Sequence, residues 1–248
     1  MGTRMREETE FRPKPMVEIG GKPVIWHIMK ILGSQGISEF VICTGYKGEL
    51  IKDYFLNYAT RNQDFTVSLG RSPELVLHGG HKEENWRVTL TDTGSETMTG
   101  GRIFLSQEHF QNERFLITYG DGLADINLAK LVDFHEQSGS TVTLTAAKPR
   151  NRFGVLDLGK NDVVQQFAEK PEGKEWVNIG YMIAEPEFLK YLKPNSVLEE
   201  EPLQTLAREK KLSAYKHHGF CQPMDTNREA KLLNEMWNSG YAPWSASF

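Results

Sequence analysis

Three short runs of β-branched and aromatic residues set the architecture: Phe40-Val41-Ile42-Cys43-Thr44, Phe115-Leu116-Ile117-Thr118-Tyr119 and Thr141-Val142-Thr143-Leu144-Thr145. The first two end at glycines, Gly45 and Gly120, and each is followed by apolar residues at helical spacing, Leu50 to Tyr58 and Leu128 to Gln137. A continuous apolar run of this length predicts a strand buried on both faces. Strands alternating with helices predict an α/β fold with a parallel sheet covered by helices. Ahead of the first run, Val24, Ile25, Ile28, Met29, Ile31 and Leu32 recur at helical spacing and stop at Gly33 and Gly36. Between residues 64 and 95 the pattern shortens into an inserted hairpin with Gly79-Gly80 at its turn. Residues 153–184 read as β-rich, with Phe153 to Leu158 and Val163 to Ala168 flanking a turn at Gly159 to Asp162. Two helices follow, near Glu201 to Glu209 and Asn227 to Asn238.

A chain of 248 residues, 39% hydrophobic and 25% charged, can bury a sizeable core as one domain or as one domain with a small annex. The formal charge of -4 is small and its basic residues are scattered. That argues against a dedicated nucleic-acid or membrane surface and leaves a small charged substrate open. Cys43 and Cys221 lie far apart without Cys-x-x-Cys spacing, so neither a disulfide framework nor a thiolate zinc site is indicated. There is no apolar run of membrane-spanning length and no basic leader before an apolar core, and the expectation is a cytoplasmic protein.

In an open parallel sheet, ligands bind outside the carboxyl ends of the strands. The run Gly120-Asp121-Gly122-Leu123-Ala124-Asp125 follows such an end, and Asp121 could hold Mg²⁺ by one oxygen while phosphates and waters fill the other positions. The same residues also read as a turn in which Asp125 caps the next helix. In Gln222-Pro223-Met224-Asp225-Thr226, Asp225 is either the cap of the last helix or a second metal-binding carboxylate. At the start of the chain Gly2-Thr3 offers backbone N–H groups and a hydroxyl, Arg4 a rigid fork for phosphate oxygens, and Lys14 a charge held stiffly between Pro13 and Pro15. A frayed basic terminus is the plainer reading of that stretch. It is no Walker loop, and no Gly-x-Gly-x-x-Gly follows a strand, which argues against a dehydrogenase. His78 and His81 read as solvated residues at a hairpin turn rather than ligands, His217-His218 as packing at a strand end. Trp237 and Trp244 read as an anchor for the tail or an oligomer contact.

Gly2-Thr3-Arg4, the run from Pro13 to Pro23 and Trp26-His27-Ile28-Met29 together resemble the sugar-1-phosphate nucleotidyltransferases. The resemblance continues through Asp92-Thr93-Gly94, Met98-Thr99-Gly100-Gly101-Arg102, Tyr119-Gly120-Asp121-Gly122, Arg152-Phe153-Gly154, Glu169-Lys170-Pro171, Gln222 to Thr226 and Ala242-Pro243-Trp244, so it covers essentially the whole chain. It implies a Rossmann-like α/β fold with a mixed, mainly parallel sheet flanked by helices and a small β-rich sugar-binding region. One domain would span 1–248, with a nucleotide-binding part over about 1–150 and a sugar-phosphate-binding and C-terminal part over about 151–248. The implied reaction is CTP plus α-D-glucose 1-phosphate giving CDP-glucose and pyrophosphate.

By position, the resemblance gives Arg4 and Lys14 the catalytic charge neutralisation, and Gly2, Thr3, Arg4, Lys14, Thr97, Arg102 and Gly120 the nucleotide. Tyr119, Glu169, Lys170 and Asn178 would meet the sugar phosphate, and Asp121 and Asp225 would hold Mg²⁺. A homo-oligomer and a role in supplying dideoxysugar and O-antigen precursors are implied too. Two departures stand out. The family opens with an apolar strand and glycines before Gly-Thr-Arg, where this chain has Met1; a longer coding region is the favoured expectation, a weakened or inactive relative the other. Asn178-Ile179-Gly180-Tyr181 stands where the family has Asn-Gly-Gly-Phe, so Ile179 is expected to add bulk near the sugar.

Overall fold

In the computed structural model, residues 12–70, 74–79, 85–149, 154–169, 171, 173–246 and 248 are described. The strands in chain order are β1 (Glu18–Ile19), β2 (Lys22–Pro23), β3 (Glu39–Thr44), β4 (Asp64–Ser68), β5 (Glu74–His78), β6 (Arg87–Asp92) and β7 (Phe115–Ile117). They continue with β8 (Gly122–Ala124), β9 (Val142–Ala147), β10 (Val155–Leu158), β11 (Val164–Ala168), β12 (Val177–Ala184), β13 (Leu212–Lys216) and β14 (Cys221–Pro223). The helices are α1 (Val24–Gly33), α2 (Gly48–Leu56), α3 (Tyr58–Asn62), α4 (Thr99–Leu105), α5 (Leu128–Ser138), α6 (Glu201–Arg208) and α7 (Asn227–Asn238). No helix among the described residues is long and apolar enough to cross a membrane.

A four-stranded sheet in the order β13-β9-β12-β7 forms the middle of the molecule. Here β12 runs antiparallel to both neighbours while β13 runs parallel to β9. The other parallel pair is β3 with β6, and the remaining described ladders are antiparallel. Alternation along β12 fills two cores. Tyr181 and Ile183 enter one with α1, α5, α7 and the C-terminal tail, while Met182 and Ala184 enter the other with α4 and α6. Each large apolar side chain buried this way contributes about 1.5–3 kcal/mol.

The strand expected to be buried on both faces at Phe40 to Thr44 is only half-buried, apart from Thr44. It has a ladder partner on one edge, β6, among the described residues, and β7 likewise pairs only with β12. An edge position leaves surface exposed that a central strand would bury, and that is the physical reason for the difference.

Helix α1 is apolar on nearly every side and is buried accordingly. Pro23 precedes it with φ near −66°, an angle its ring already fixes. Within it His27 is buried; its Nε2–H donates to the Ile19 carbonyl at 2.8 Å, and its Nδ1 accepts from the Trp244 indole at 3.3 Å. Burial pushes the His27 pKa down to about 4. Trp244, itself buried, thus anchors the tail on α1, the first of the two roles expected for it.

The inserted hairpin exists as β4–β5, but its turn lies between Ser68 and Glu74 rather than at Gly79-Gly80. His78 is on β5, sharing a 2.7 Å hydrogen bond with Thr66, and His81 lies outside the described residues. β10 and β11 pair as a second two-stranded ribbon. Ile179 packs against the core containing α1, and the next residue, Gly180, has φ +85°. Cys43 and Cys221 are free thiols, and burial raises the pKa of both.

Candidate active site

The short ladder between β8 and β14 does the decisive positioning. Gln222 pairs with Leu123 and Pro223 with Gly122, and the Met224 N–H donates to the Asp121 carbonyl at 2.8 Å. Leu123 and Met224 are buried in the core beneath. Two segments about a hundred residues apart are thereby locked in register, and Asp121 and Asp225 emerge side by side.

The helix-cap alternatives fail at both aspartates. The cap of α5 is Asn127, whose side chain accepts from the Lys130 N–H at 2.9 Å, while Asp125 pairs with His217 Nε2 at 3.0 Å. The cap of α7 is Thr226 in a capping box with Glu229, whose carboxylate takes the N–H groups of both Asp225 and Thr226. The Asp225 side chain is therefore not needed to start the helix.

Both carboxylates meet Lys14. Its ammonium lies 2.9 Å from Asp225 Oδ1 and 3.2 Å from Asp121 Oδ2, with all three side chains a third to two-fifths exposed. Lys14 opens a 3₁₀ turn (Lys14–Met16) whose position is fixed by Pro13, Pro15 and buried Met16. Pro15 packs on Gly120, where an added Cβ would lie 2.7 Å from the proline ring. Gly120 is thus required by the close approach of the Lys14 turn. Burial lowers the Lys14 pKa, but the hydrogen bond it donates to Asp225 and the charge of Asp121 outweigh it and leave a net rise.

No group of three or more His, Cys, Asp and Glu side chains gathers to hold a metal among the described residues. Two carboxylates sharing one cation match the demand of Mg²⁺, which takes one or two carboxylates and draws its remaining ligands from phosphates and water. A thiolate or imidazole metal does not suit these oxygen donors.

A second cluster forms at the carboxyl ends of β3 and β6. The Arg102 guanidinium donates to the Thr44 carbonyl at 3.2 Å, the Thr93 hydroxyl at 2.6 Å and the Ser95 carbonyl at 3.4 Å. Thr97 donates its hydroxyl to the Thr93 carbonyl. The glycines of Met98-Thr99-Gly100-Gly101-Arg102 have a packing reason: a Cβ on Gly101 would lie 2.2 Å from the Pro194 carbonyl oxygen, and one on Gly100 2.9 Å from that of Ser196.

Tyr119 and Asn178 come together, with Asn178 Oδ1 accepting from the Gly180 N–H at 2.9 Å. An added Cβ on Gly180 would strike the Tyr119 ring, so this glycine and ring shape each other. The Tyr119 hydroxyl donates to Glu199, whose other oxygen accepts from Thr99 at 2.8 Å. Burial, followed by this carboxylate, raises the tyrosine pKa strongly. Glu199 therefore ties the Arg102 helix to the Tyr119 rim, a link the sequence did not disclose. Nothing in the run Glu199-Glu200-Glu201 marks the first of three acids; only Thr99, inside a recognised motif, hinted at a partner. Glu169 follows β11 with its carboxylate beside Gly154. Gly2, Thr3, Arg4 and Lys170 lie outside the described residues. His217 is buried against Asp125 and the Phe220 carbonyl, and His218 is exposed against the Trp176 ring.

Residues 1–237 match the family described as Nucleotidyl transferase. The chain is 45% identical over 247 residues to the glucose-1-phosphate cytidylyltransferase of Salmonella typhimurium, covering 98% of this chain and 95% of that protein. It is 39% identical over 245 residues to a probable glucose-1-phosphate cytidylyltransferase of Bacillus subtilis, again covering 98% and 95%. Among solved structures, HddC from Yersinia pseudotuberculosis shares the fold with a TM-score of 0.65 at 20% identity, covering 96% of this chain and 95% of that one. A paired-carboxylate corner, an arginine cluster at strand ends and relatives matched over almost their full length agree: the chain belongs to the nucleotidyl transferase family, with glucose-1-phosphate cytidylyltransferases among its relatives.

Proposed function

We propose that this chain forms CDP-glucose and pyrophosphate from CTP and α-D-glucose 1-phosphate. The observation that carries the reading is the convergence of Asp121 and Asp225 on Lys14, supported by relatives of that named activity at 39% and 45% identity. One nucleotidyltransferase domain spans the chain, with Gly2, Thr3, Arg4, Lys14, Thr97, Arg102 and Gly120 serving the nucleotide. Tyr119, Glu169, Lys170 and Asn178 serve the sugar phosphate.

A sugar-phosphate oxygen attacks the α-phosphorus of CTP, forming a P–O bond as the bond to the departing pyrophosphate oxygen breaks; no covalent enzyme intermediate is needed. Two polyanions must be brought into contact, so positioning and charge neutralisation carry the rate. Held by the Asp121 and Asp225 carboxylates, Mg²⁺ would offset and orient the triphosphate charge. Lys14 exchanges its carboxylate partners for phosphate oxygens when the nucleotide arrives, and Arg4 and Lys170 add positive charge on either substrate. Arg102, already fixed by neutral oxygens, presents its guanidinium to the nucleotide. The protein works in the cytoplasm as a homo-oligomer.

The test is pyrophosphate release from purified protein across CTP, UTP, dTTP and GTP against several hexose 1-phosphates. CTP with glucose 1-phosphate is expected to lead. Preference for another pair, or CTP binding without product from any pair, overturns the assignment.

A further inference from the structure

A series of hydrogen bonds runs along the rim from α4 to β12, and one acid fixes its direction. A carboxylate only accepts, so the groups that meet Glu199 point their protons at it: the Thr99 hydroxyl on one oxygen at 2.8 Å and the Tyr119 hydroxyl on the other. The segment bearing Glu199 is clamped on α4, with the Leu198 N–H donating to the Thr99 oxygen at 2.9 Å and the Gly101 N–H to the Ser196 carbonyl at 2.9 Å. With its proton committed, the Tyr119 oxygen is left to accept, and its partner is the Asn178 amide. The direction of that bond shows in its effect: against the rise caused by burial and by Glu199, it lowers the tyrosine pKa, as an N–H given to the phenolic oxygen does. The far end of the amide is fixed as well, because Asn178 Oδ1 takes the Gly180 N–H at 2.9 Å. A bulge in β12 between Asn178 and Met182, where Gly180 has φ +85°, brings that N–H back to the side chain. The second N–H of the Asn178 amide has no partner among the described residues.

We propose that Glu199 is a positioning residue for the sugar: by accepting the Tyr119 O–H it sets the polarity of this relay, so that Asn178 offers an N–H, and not its carbonyl, to a hydroxyl oxygen of the hexose. This deepens the proposed function and rests on the sugar role given there to Tyr119 and Asn178. The two ends of a side-chain amide are nearly alike in shape, so its hydrogen bonds alone decide which end faces a ligand. Without an acceptor at position 199 the tyrosine proton is free to turn toward Asn178 Oδ1, where it competes with the Gly180 N–H and lets the amide turn over. A site committed to donating toward a substrate hydroxyl also discriminates against analogues that lack it, since the donor is then left unpaired. Glu199 acts through Tyr119 and needs no contact with the substrate.

Pyrophosphate release from CTP and glucose 1-phosphate is compared in the parent, in Glu199→Leu, which keeps the bulk but no acceptor, and in Glu199→Gln, which keeps an acceptor oxygen but no charge. The expected result is a KM for glucose 1-phosphate about tenfold higher in Glu199→Leu, the scale of one hydrogen bond, with KM for CTP at the parent level and Glu199→Gln close to the parent throughout. A space-filling role leaves all three alike, and a role of charge alone impairs both variants equally; either result overturns the relay. On an Asn178→Ala background Glu199→Leu is expected to add nothing, because the group it orients is gone; an additive rise in KM overturns it too. Apart from turnover, the side-chain amide protons of Asn178, identified by their loss in Asn178→Ala, are followed by NMR. One is expected to exchange slowly with water in the parent and in Glu199→Gln, and both quickly in Glu199→Leu. Equal exchange in the parent and Glu199→Leu overturns the relay whatever the turnover, whereas a protected N–H in a parent that releases no pyrophosphate upholds the relay and overturns the proposed reaction.

Discussion

Lys14 and Arg102 are both cations held in place by oxygens of other segments, but their partners differ in kind. Lys14 sits between two carboxylates; Arg102 is held by two carbonyls and a hydroxyl. The nearby Asp92 is occupied by Lys52 and the Gly94 N–H. Neutral oxygens orient a guanidinium without cancelling its charge, whereas paired carboxylates cancel an ammonium. In the proposed reaction Lys14 would therefore change partners before the carboxylates took a metal, and Arg102 would not. The exchange is cheap because half-exposed ion pairs are screened and contribute little net stability.

The contrast breaks most easily at the carboxylates. Asp121→Ala is expected to lower turnover by on the order of 10³-fold at any Mg²⁺ concentration that supports the parent, measured as pyrophosphate release. Parent-like turnover would remove Asp121 from the site.

Next in size is Lys14→Ala, expected to cost about 10²-fold in kcat by loss of charge neutralisation. It should also bind Mg²⁺ more tightly than the parent in calorimetric titration without nucleotide, because the competing ammonium is gone. Metal binding no tighter than in the parent would show that Lys14 does not compete for the carboxylates.

Arg102→Ala is expected to raise KM for the nucleotide about tenfold, the scale of a hydrogen bond from a charged donor, and to leave nucleotide-free Mg²⁺ binding at the parent level. A shift in metal binding as large as that of Lys14→Ala would erase the distinction between the two cations.

The smallest effect concerns the buried histidine of α1. His27 has a folded pKa of about 4, below the ordinary 6.5, so the unfolded chain takes up a proton that the native state refuses. Stability is full above pH 6.5 and falls as the pH drops toward 4, by about 1 kcal/mol between pH 7 and 5.5. Lys14 has the opposite sign: its pKa is raised, so its contribution is present below 10.5 and disappears as pH rises through the higher folded value. Urea unfolding at pH 7 and 5.5 checks the first; equal midpoints would contradict a buried neutral His27.

Much of the fold was legible. Helix α1 was written by apolar spacing and ended by Gly33, and α7 lies at Asn227–Asn238 where a helix was expected, although its cap is Thr226 and not Asp225. The edge character of β3 was not, because an apolar run is the same in a central strand and in one lacking a neighbour. The hairpin turn was misplaced because Gly79-Gly80 carries a stronger turn signature than the residues that join β4 to β5.

At the site, sequence alone supplied the chemical types: two aspartates after strand ends, a lysine between prolines, an arginine after paired glycines. It left open whether Asp121 lay in a turn whose Asp125 capped the next helix or held a metal, and whether Asp225 capped the last helix or held a metal, since aspartate serves turns, caps and metals alike. Tertiary structure removed the capping alternatives by giving the caps to Asn127 and Thr226, and joined β8 to β14, which turns Asp121 and Asp225 toward one ammonium. It likewise decided that Glu199, rather than either acid beside it, connects Thr99 with Tyr119. The physical reason is common to both cases: local spacing fixes which groups a segment can offer, while convergence depends on ladders and packing between segments the chain keeps far apart.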